Sequence, residues 1–363
     1  MSILFTPTKI GNLSLQNRFV RSATAERLAD TNGYPLPALQ QLYSDLARGG
    51  VGLIITGHMY IHTSGKAHPE MTGVYTDDLI PSLSELAQAA HQERCKIVAQ
   101  INHGGLQCDQ ATVPDPIAPS AQDDPLFERS ARAMTDEEIL TTIDAFAQAA
   151  VRVKEAGFDG VQIHAAHGYL ISEFLSPFIN RRTDRWGGNH ENRIRFLREV
   201  CSAVREQVGA DFPVMTKLGM EDGVEGGLTS QEGAGIVAEL ESMKLDAVEI
   251  SGGFKSPSSK KGIRTERDEA YFLPNVKLAR TSTNLPIMAV GGYRSKRVME
   301  RVLEAGEADF ISICRPLISE PDLPNLFKEG RKEKSRCISS NNCWPEESGA
   351  GIACKCPHDK VPQ

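Results

Sequence analysis

Eight times along the chain, a short run rich in valine, isoleucine and leucine gives way to a polar or glycine-containing loop and then to a stretch with helical periodicity. The runs are Arg18 to Ala23, Gly52 to His58, Lys96 to His103, Gly160 to Ala166, Pro213 to Gly219, Ala247 to Gly253, Pro286 to Gly292 and Phe310 to Pro316. Most are nearly continuous in apolar residues rather than alternating, as parallel strands covered on both faces should be. Asp136 to Ala156 places Ile139, Ile143, Phe146, Ala147, Ala150 and Val153 at three- and four-residue intervals, and Gly157 stops it, so a helix is expected there. Thr229 to Met243 and Ser295 to Ala305 repeat the design, with Thr229 and Ser295 as N-caps. Eight such units predict an α/β fold, a closed (β/α)8 TIM barrel. An open doubly wound sheet would carry a GxGxxG loop after its first strand, and there is none. The barrel is expected over residues 1–334, followed by a short cysteine-rich C-terminal tail, 335–363.

Two connections exceed what a turn needs. Gly104 to Thr135 is rich in Pro, Asp and Ser, and Phe254 to Glu269 carries Lys255, Lys260, Lys261, Arg264 and Arg267. Long loops in a compact domain tend to be lids or binding segments, and in a barrel both would emerge on the face where active sites lie. The basic loop reads equally as a contact for substrate phosphates and as a solvated surface.

The chain has 363 residues and a formal net charge of −7, which argues against general nucleic-acid binding or an anionic-membrane surface role. No apolar run approaches the roughly eighteen residues of a spanning helix, and MSILFTPTKIG lacks a signal peptide's basic and apolar regions. The expected location is the cytoplasm, with a homo-oligomer left open. Of eight cysteines, Cys95, Cys108, Cys201 and Cys314 are scattered and read as buried thiols, while Cys337, Cys343, Cys354 and Cys356 crowd the tail.

The strand ends carry the chemistry. The fourth closes on His164, His167 and Tyr169, two imidazoles and a phenol able to hold an oxygen, polarise a carbonyl and supply a proton. One histidine at a strand end usually just meets a backbone carbonyl; three such side chains within six residues favour a site. The other ends supply Ser22, Ala23 and Thr24, Gly57 with His58, Gln100 with His103, Lys217, Ser251 with Gly252 and Gly253, Gly291 with Gly292, and Cys314 with Arg315. There is no GxSxG elbow, no HExxH and no carboxylate cluster for a divalent metal. Either glycine pair alone would merely turn the chain. Two pairs beside an arginine, near the seventh and eighth strands, fit a phosphate. Gln100 can both donate to and accept from a ring imide, and Lys217 can stabilise charge building on a reduced heteroaromatic ring. A rival use of Lys217 is Schiff-base chemistry of the aldolase kind.

With these residues in view, the chain resembles the Old Yellow Enzyme family of FMN-dependent NAD(P)H oxidoreductases, closest to the bacterial branch that includes the flavin domain of 2,4-dienoyl-CoA reductases. The motifs are LFTPTKIGNLSLQNRFVRSATAE, GVGLIITG, QINHGG, AGFDGVQIHAAHGYLISEFLSPFINRRTDRWGGNHENRIRFLREV, VGGYR and ICRPLISEPD, spanning about Leu4 to Phe327. The resemblance implies that Ser22, Ala23, Thr24 and Gly57 border the flavin and that Gln100 bonds the pyrimidine end of its ring. Lys217 would stand near N1 and C2=O, and Gly253, Gly291, Gly292, Cys314 and Arg315 would cradle the phosphate. His164 and His167 resemble the family's grip on the substrate oxygen, and Tyr169 its proton donor. Asn180, Arg182, Asp184, Gly187 and Arg193 would hold the loop after the fourth strand. The implied substrates are enones or enoyl thioesters, reduced at C=C with NADH or NADPH as the electron source.

Two positions depart from the pattern. Ala25 stands where some relatives keep a redox-tuning cysteine, and Arg27 where an aromatic often lies. In the tail, relatives with an iron–sulfur cluster carry C-x2-C-x2/3-C and a fourth cysteine about a dozen residues on. Here Ser340 replaces the second cysteine, so a tail without a cluster is expected, and no metal ligands are assigned. A cluster using Cys354 and Cys356, or zinc with His358, are the alternatives. An electron-transfer subunit that binds a partner through this tail is a third reading of the chain.

Overall fold

The structure, a computed structural model, describes residues 2–122, 129–255, 261–345 and 349–356. Lys260 and His358 lie outside the described residues.

Eight parallel strands close into a barrel: β1 (Phe19–Arg21), β2 (Leu53–Tyr60), β3 (Lys96–Asn102), β4 (Val161–Ala165), β5 (Val214–Gly219), β6 (Ala247–Ser251), β7 (Ile287–Ala289) and β8 (Phe310–Ile313). Each pairs with the next in chain order, and β8 pairs with β1 through Ile311–Phe19 and Ile313–Arg21. All eight expected runs are strands, and nearly every residue in them is buried, which is why they read as apolar blocks.

Inside the barrel the strands obey their own period of two. Val20, Leu53, Ile55, Val98, Met215, Ala247, Met288 and Phe310 form a dry lower cluster, closed by Ile10, Leu13 and Leu15 of an antiparallel N-terminal hairpin. One inward step further toward the strand ends, Val98 gives way to Gln100, Met215 to Lys217, Ala247 to Glu249, Phe310 to Ser312 and Val20 to Ser22. The lower layer resists water; the upper one presents polar atoms to whatever lies on top.

The surrounding helices include α1 (Pro37–Arg48), α2 (Ile80–Gln92), α3 (Asp136–Glu155), α4 (Leu170–Leu175), α5 (His190–Val208), α6 (Ser230–Glu239), α7 (Leu273–Arg280) and α8 (Lys296–Glu304). α3 and α6 open with capping boxes, Thr135 with Glu138 and Thr229 with Glu232. Ser295 occupies the N-cap position of α8 but makes no cap hydrogen bond. Its hydroxyl donates instead to Glu269 Oε1 at 2.5 Å, because that carboxylate already accepts the N–H groups of Arg294 and Ser295 through Oε2. The Gly104 to Thr135 connection contains a short parallel pair, Ile117–Ala118 with Arg132–Ala133.

The long motif after β4 is structural, as expected. Asn180 Nδ2 donates to the carbonyls of Phe174 and Trp186, both at 2.8 Å. Arg182 donates to the carbonyls of Pro119 and Met134 and pairs with Asp184, tying this segment to the long loop. Arg193 ties Leu175 and Gly188 to Glu232, and a Cβ on Gly187 would fall 2.6 Å from Arg182 and Asn180.

Candidate active site

The upper polar layer is one connected network. Gln100 Nε2 donates to Gln162 Oε1 at 2.7 Å, and Gln162 Nε2 donates to Glu249 Oε2 at 3.1 Å. Glu249 Oε1 accepts the hydroxyls of Ser22 and Ser312, each at 2.7 Å. Lys217 Nζ donates to Ser22 Oγ at 2.8 Å and lies 3.3 Å from Glu249. Ladder pairing produces this, since Gln100 faces Gln162 and Lys217 faces Glu249 across adjacent strands. Burial opposes ionisation of Glu249, but Lys217 and the surrounding hydroxyl and amide donors hold its carboxyl below the ordinary range. Lys217 is engaged by both Ser22 and Glu249, so its amine is committed to this layer rather than free for Schiff-base attack.

Above this layer stand the aromatic and imidazole rings. The His164 ring lies 4.9 Å from that of Tyr169 and 5.1 Å from that of His167, centroid to centroid. His167 is held at φ +62°, in the left-handed region, and Gly168 follows at +74°. The turn directs the His167 ring to Ser251 Oγ at 2.8 Å, while the His167 N–H donates to Gly252 O. The Ala166 N–H donates to His164 Nδ1 at 3.3 Å, which puts the proton of the neutral ring on Nε2. Burial first, then the His167, His58 and Lys217 charges, depress His164 well below the ordinary imidazole range. His167 is pulled down to about 3, again by burial and then by Lys217 and His58. Burial pushes the Tyr169 phenol up to about 12. Around neutral pH the array is therefore two uncharged imidazoles and a protonated phenol.

A cleft opens at the same end of the barrel, lined by Ser22, Ala23, His167, Lys217, Gly292, Cys314 and Arg315 together with Ser251, Tyr271 and Ser312. Thr24 joins it through a 2.9 Å contact to Cys314 Sγ. Cys314 is half-exposed there, not the buried thiol expected of it. Gly291 and Gly292 take φ of +131° and +74°, and a Cβ on Gly292 would fall 2.9 Å from the Tyr271 ring. Arg315 donates to Asn341 Oδ1 at 2.6 Å and to Tyr271 Oη at 3.4 Å, so the tail helps orient it.

A sequence profile of the NADH:flavin oxidoreductase / NADH oxidase family matches residues 3–334. The chain belongs to that family. It is 36% identical to an NADH oxidase of Thermoanaerobacter brockii over 93% of this chain and 52% of that one. It is 34% identical to an NADPH dehydrogenase of Geobacillus sp. (strain WCH70), covering 89% and 93%. A solved 2-naphthoyl-CoA reductase complex superposes with a TM-score of 0.85 at 32% identity, covering 90% of this chain and 52% of that one. The chain thus spans about half the length of the first curated relatives it matches. The family match and these likenesses confirm the Old Yellow Enzyme resemblance and the barrel.

FMN is the group this family implies, and the residues fit it. The cleft is lined by Ser22, Lys217, Ser312, Gly292 and Arg315, and its floor is a connected donor and acceptor layer with a buried cation. Gly57 and Gly253, expected beside flavin and phosphate, have their N–H groups engaged internally, with Glu26 Oε1 at 2.9 Å and Glu221 O at 2.7 Å. Cβ atoms there would strike Glu26 and Asp222, so close packing alone explains both glycines. Gln100 does not line the cleft; it joins the polar network through Gln162.

Sequence reasoning passed over Glu249, Gln162 and Ser312. The signal was present: a carboxylate in AVEIS and a glutamine in GVQIH are polar side chains inside apolar blocks. In the tail, Ser340 Oγ lies 3.0 Å from Cys356 Sγ. Among the described residues no group of three or more His, Cys, Asp or Glu side chains is arranged to hold a metal. Burial and the neighbouring thiols push Cys343 up to about 12.

Proposed function

We propose that the chain is an FMN-dependent NAD(P)H ene-reductase that reduces the C=C bond of α,β-unsaturated carbonyl compounds, enoyl thioesters included. The observation that carries the reading is the juxtaposition of His164, His167 and Tyr169 at one end of the barrel, over the Gln100–Gln162–Glu249–Lys217 layer. When bound, the flavin supplies a hydride carrier between the nicotinamide and the alkene. Ser22, Ala23, Thr24 and Gln100 border it in this reading, Lys217 faces its pyrimidine edge, and Gly291, Gly292, Cys314 and Arg315 take its phosphate.

The histidines hold the substrate carbonyl. The Nε2–H of His164 donates to that oxygen, and His167, fixed by Ser251, braces it from the side. Charge that grows on the oxygen during reduction meets these donors already in position. Tyr169 retains its proton near neutral pH and delivers it to the α-carbon. The 2-naphthoyl-CoA likeness supports thioesters as one substrate class. Lys255 over the Phe254 ring at 5.0 Å, with Lys261, Arg264 and Arg267, is the matching contact for phosphates.

Tyr169→Phe tests the assignment. Stopped-flow traces should show flavin reduction by NAD(P)H nearly intact and alkene reduction slowed about 100-fold or more; equal loss in both half-reactions would remove Tyr169 from its role.

A further inference from the structure

A second group of polar side chains is built against Tyr169, next to His164. Its origin is a register shift in β2: Leu53, Ile54 and Ile55 pair with Lys96, Ile97 and Val98, but the next partners are His58 and Gln100. The bulge at Thr56 and Gly57 reverses the alternation, so that His58 points inward beside Gln100 and Met59 joins the outer core. The His58 ring then lies 5.0 Å from Tyr169, 6.1 Å from His164 and 5.6 Å from His68. Asn102 Nδ2 lies 2.9 Å from His58 Nδ1.

These groups are buried without full hydrogen bonding. His68 is 8% exposed and Asn102 1%, yet neither ring nitrogen of His68 nor Oδ1 of Asn102 has a hydrogen-bond partner. Arg27 Nε is likewise buried without one. Its residue sits at φ +56°, and Trp344 of the tail lies 5.5 Å from its guanidinium. Glu70 Oε2 is 3.6 Å from Arg27 Nη1 and 3.7 Å from His68 Nδ1, beyond hydrogen-bond reach. Each such unmet group costs on the order of 1–3 kcal/mol, and several gathered in one place point to a ligand that meets them. Burial, then His68 and Arg27, pull His58 down to about 3; burial, then Arg27 and Lys66, do the same to His68. Both rings are neutral and keep one N–H each.

We propose that His58, His68, Asn102 and Arg27 form a subsite for a carboxylate carried by the substrate, beside Tyr169 and next to the carbonyl grip. The donor set matches an anion with two oxygens. His68 gives one N–H, Arg27 gives Nε–H, and the His58–Asn102 pair gives a third donor whichever way the amide is turned, from His58 Nε2 or from Asn102 Nδ2. Arg27 and Lys66 supply positive charge against Glu70. The inference rests on the ene-reductase reading and narrows it: the favoured substrate is an unsaturated ketone or thioester that also bears a carboxylate.

The test compares 4-oxopent-2-enoate with pent-3-en-2-one, which differ by a carboxylate in place of a methyl group, as substrates of the FMN-loaded enzyme. The readout is the ratio of the two kcat/KM values in wild type, His68→Phe and Arg27→Gln. The ratio should fall about tenfold or more in each variant, and the methyl ester of the acid should lose most of the wild-type preference. A ratio unchanged in both variants, whatever happens to the separate rates, overturns the subsite. Failure of the wild type to reduce either compound overturns the ene-reductase reading itself and the subsite with it.

Discussion

The two inner layers of the barrel differ by a single inward step along the same strands, and they do opposite work. The lower layer, Val98, Met215, Ala247 and Phe310 among others, is apolar and sealed by the N-terminal hairpin. The upper one, Gln100, Lys217, Glu249 and Ser312, is polar and wired together by hydrogen bonds. Closure of the strands depends on the first, and chemistry on the second. A barrel can thus carry a buried ion pair and a ring of imidazoles because the layer beneath them carries none.

The bluntest way to break that symmetry is acid. His58, His68, His103 and His167 are each held at about 3, and His164 is likewise depressed well below the ordinary imidazole range, chiefly by burial, and all belong to the upper half. Their folded pKa values lie below the unfolded value of about 6.5. The stability they share is therefore full above that pH and is lost as the pH falls toward 3, each group contributing up to about 1.4 kcal/mol per pH unit. The Tm should be flat from pH 7 to 8 and fall steeply between 6.5 and 5; a flat profile throughout would mean that the rings are solvated. Next in size is the ion pair. Lys217→Ala strands Glu249 and should cost about 3–5 kcal/mol in urea unfolding, with much of it recovered in Lys217→Met/Glu249→Leu. Recovery of stability without recovery of activity would separate the fold from the chemistry within one layer.

Met215→Ala, in the lower layer, should cost about 2–5 kcal/mol while leaving the flavin spectrum unchanged. An altered spectrum would show that the layers are not independent. Smallest is Thr229→Ala, which removes one half of a capping box at the start of α6 and should cost about 1 kcal/mol, with turnover unaffected.

How much of this was legible followed from locality. The strands announced themselves because burial on both faces leaves continuous apolar runs, and His164, His167 and Tyr169 because they are adjacent in the chain. His58 could be listed at a strand end, but its direction was not legible, since strict alternation from Leu53 and Ile55 turns it outward and only the bulge brings it in. The Glu249 and Lys217 partnership is set by ladder register, which one strand cannot reveal. The glycines at 57 and 253 read as cofactor contacts because a close backbone approach leaves the same mark as a bound phosphate. Ser295 carried the residue type of a cap, but Glu269, distant in sequence, took its hydroxyl.

The claim beneath all of this is that the upper layer and the adjoining cleft hold a flavin. Flavin-free protein titrated with FMN, followed by absorbance and by flavin fluorescence, tests it most directly. The account predicts saturation at one FMN per chain and markedly weaker binding in Lys217→Met. A folded chain that stays colourless and leaves FMN fluorescence untouched would contradict it.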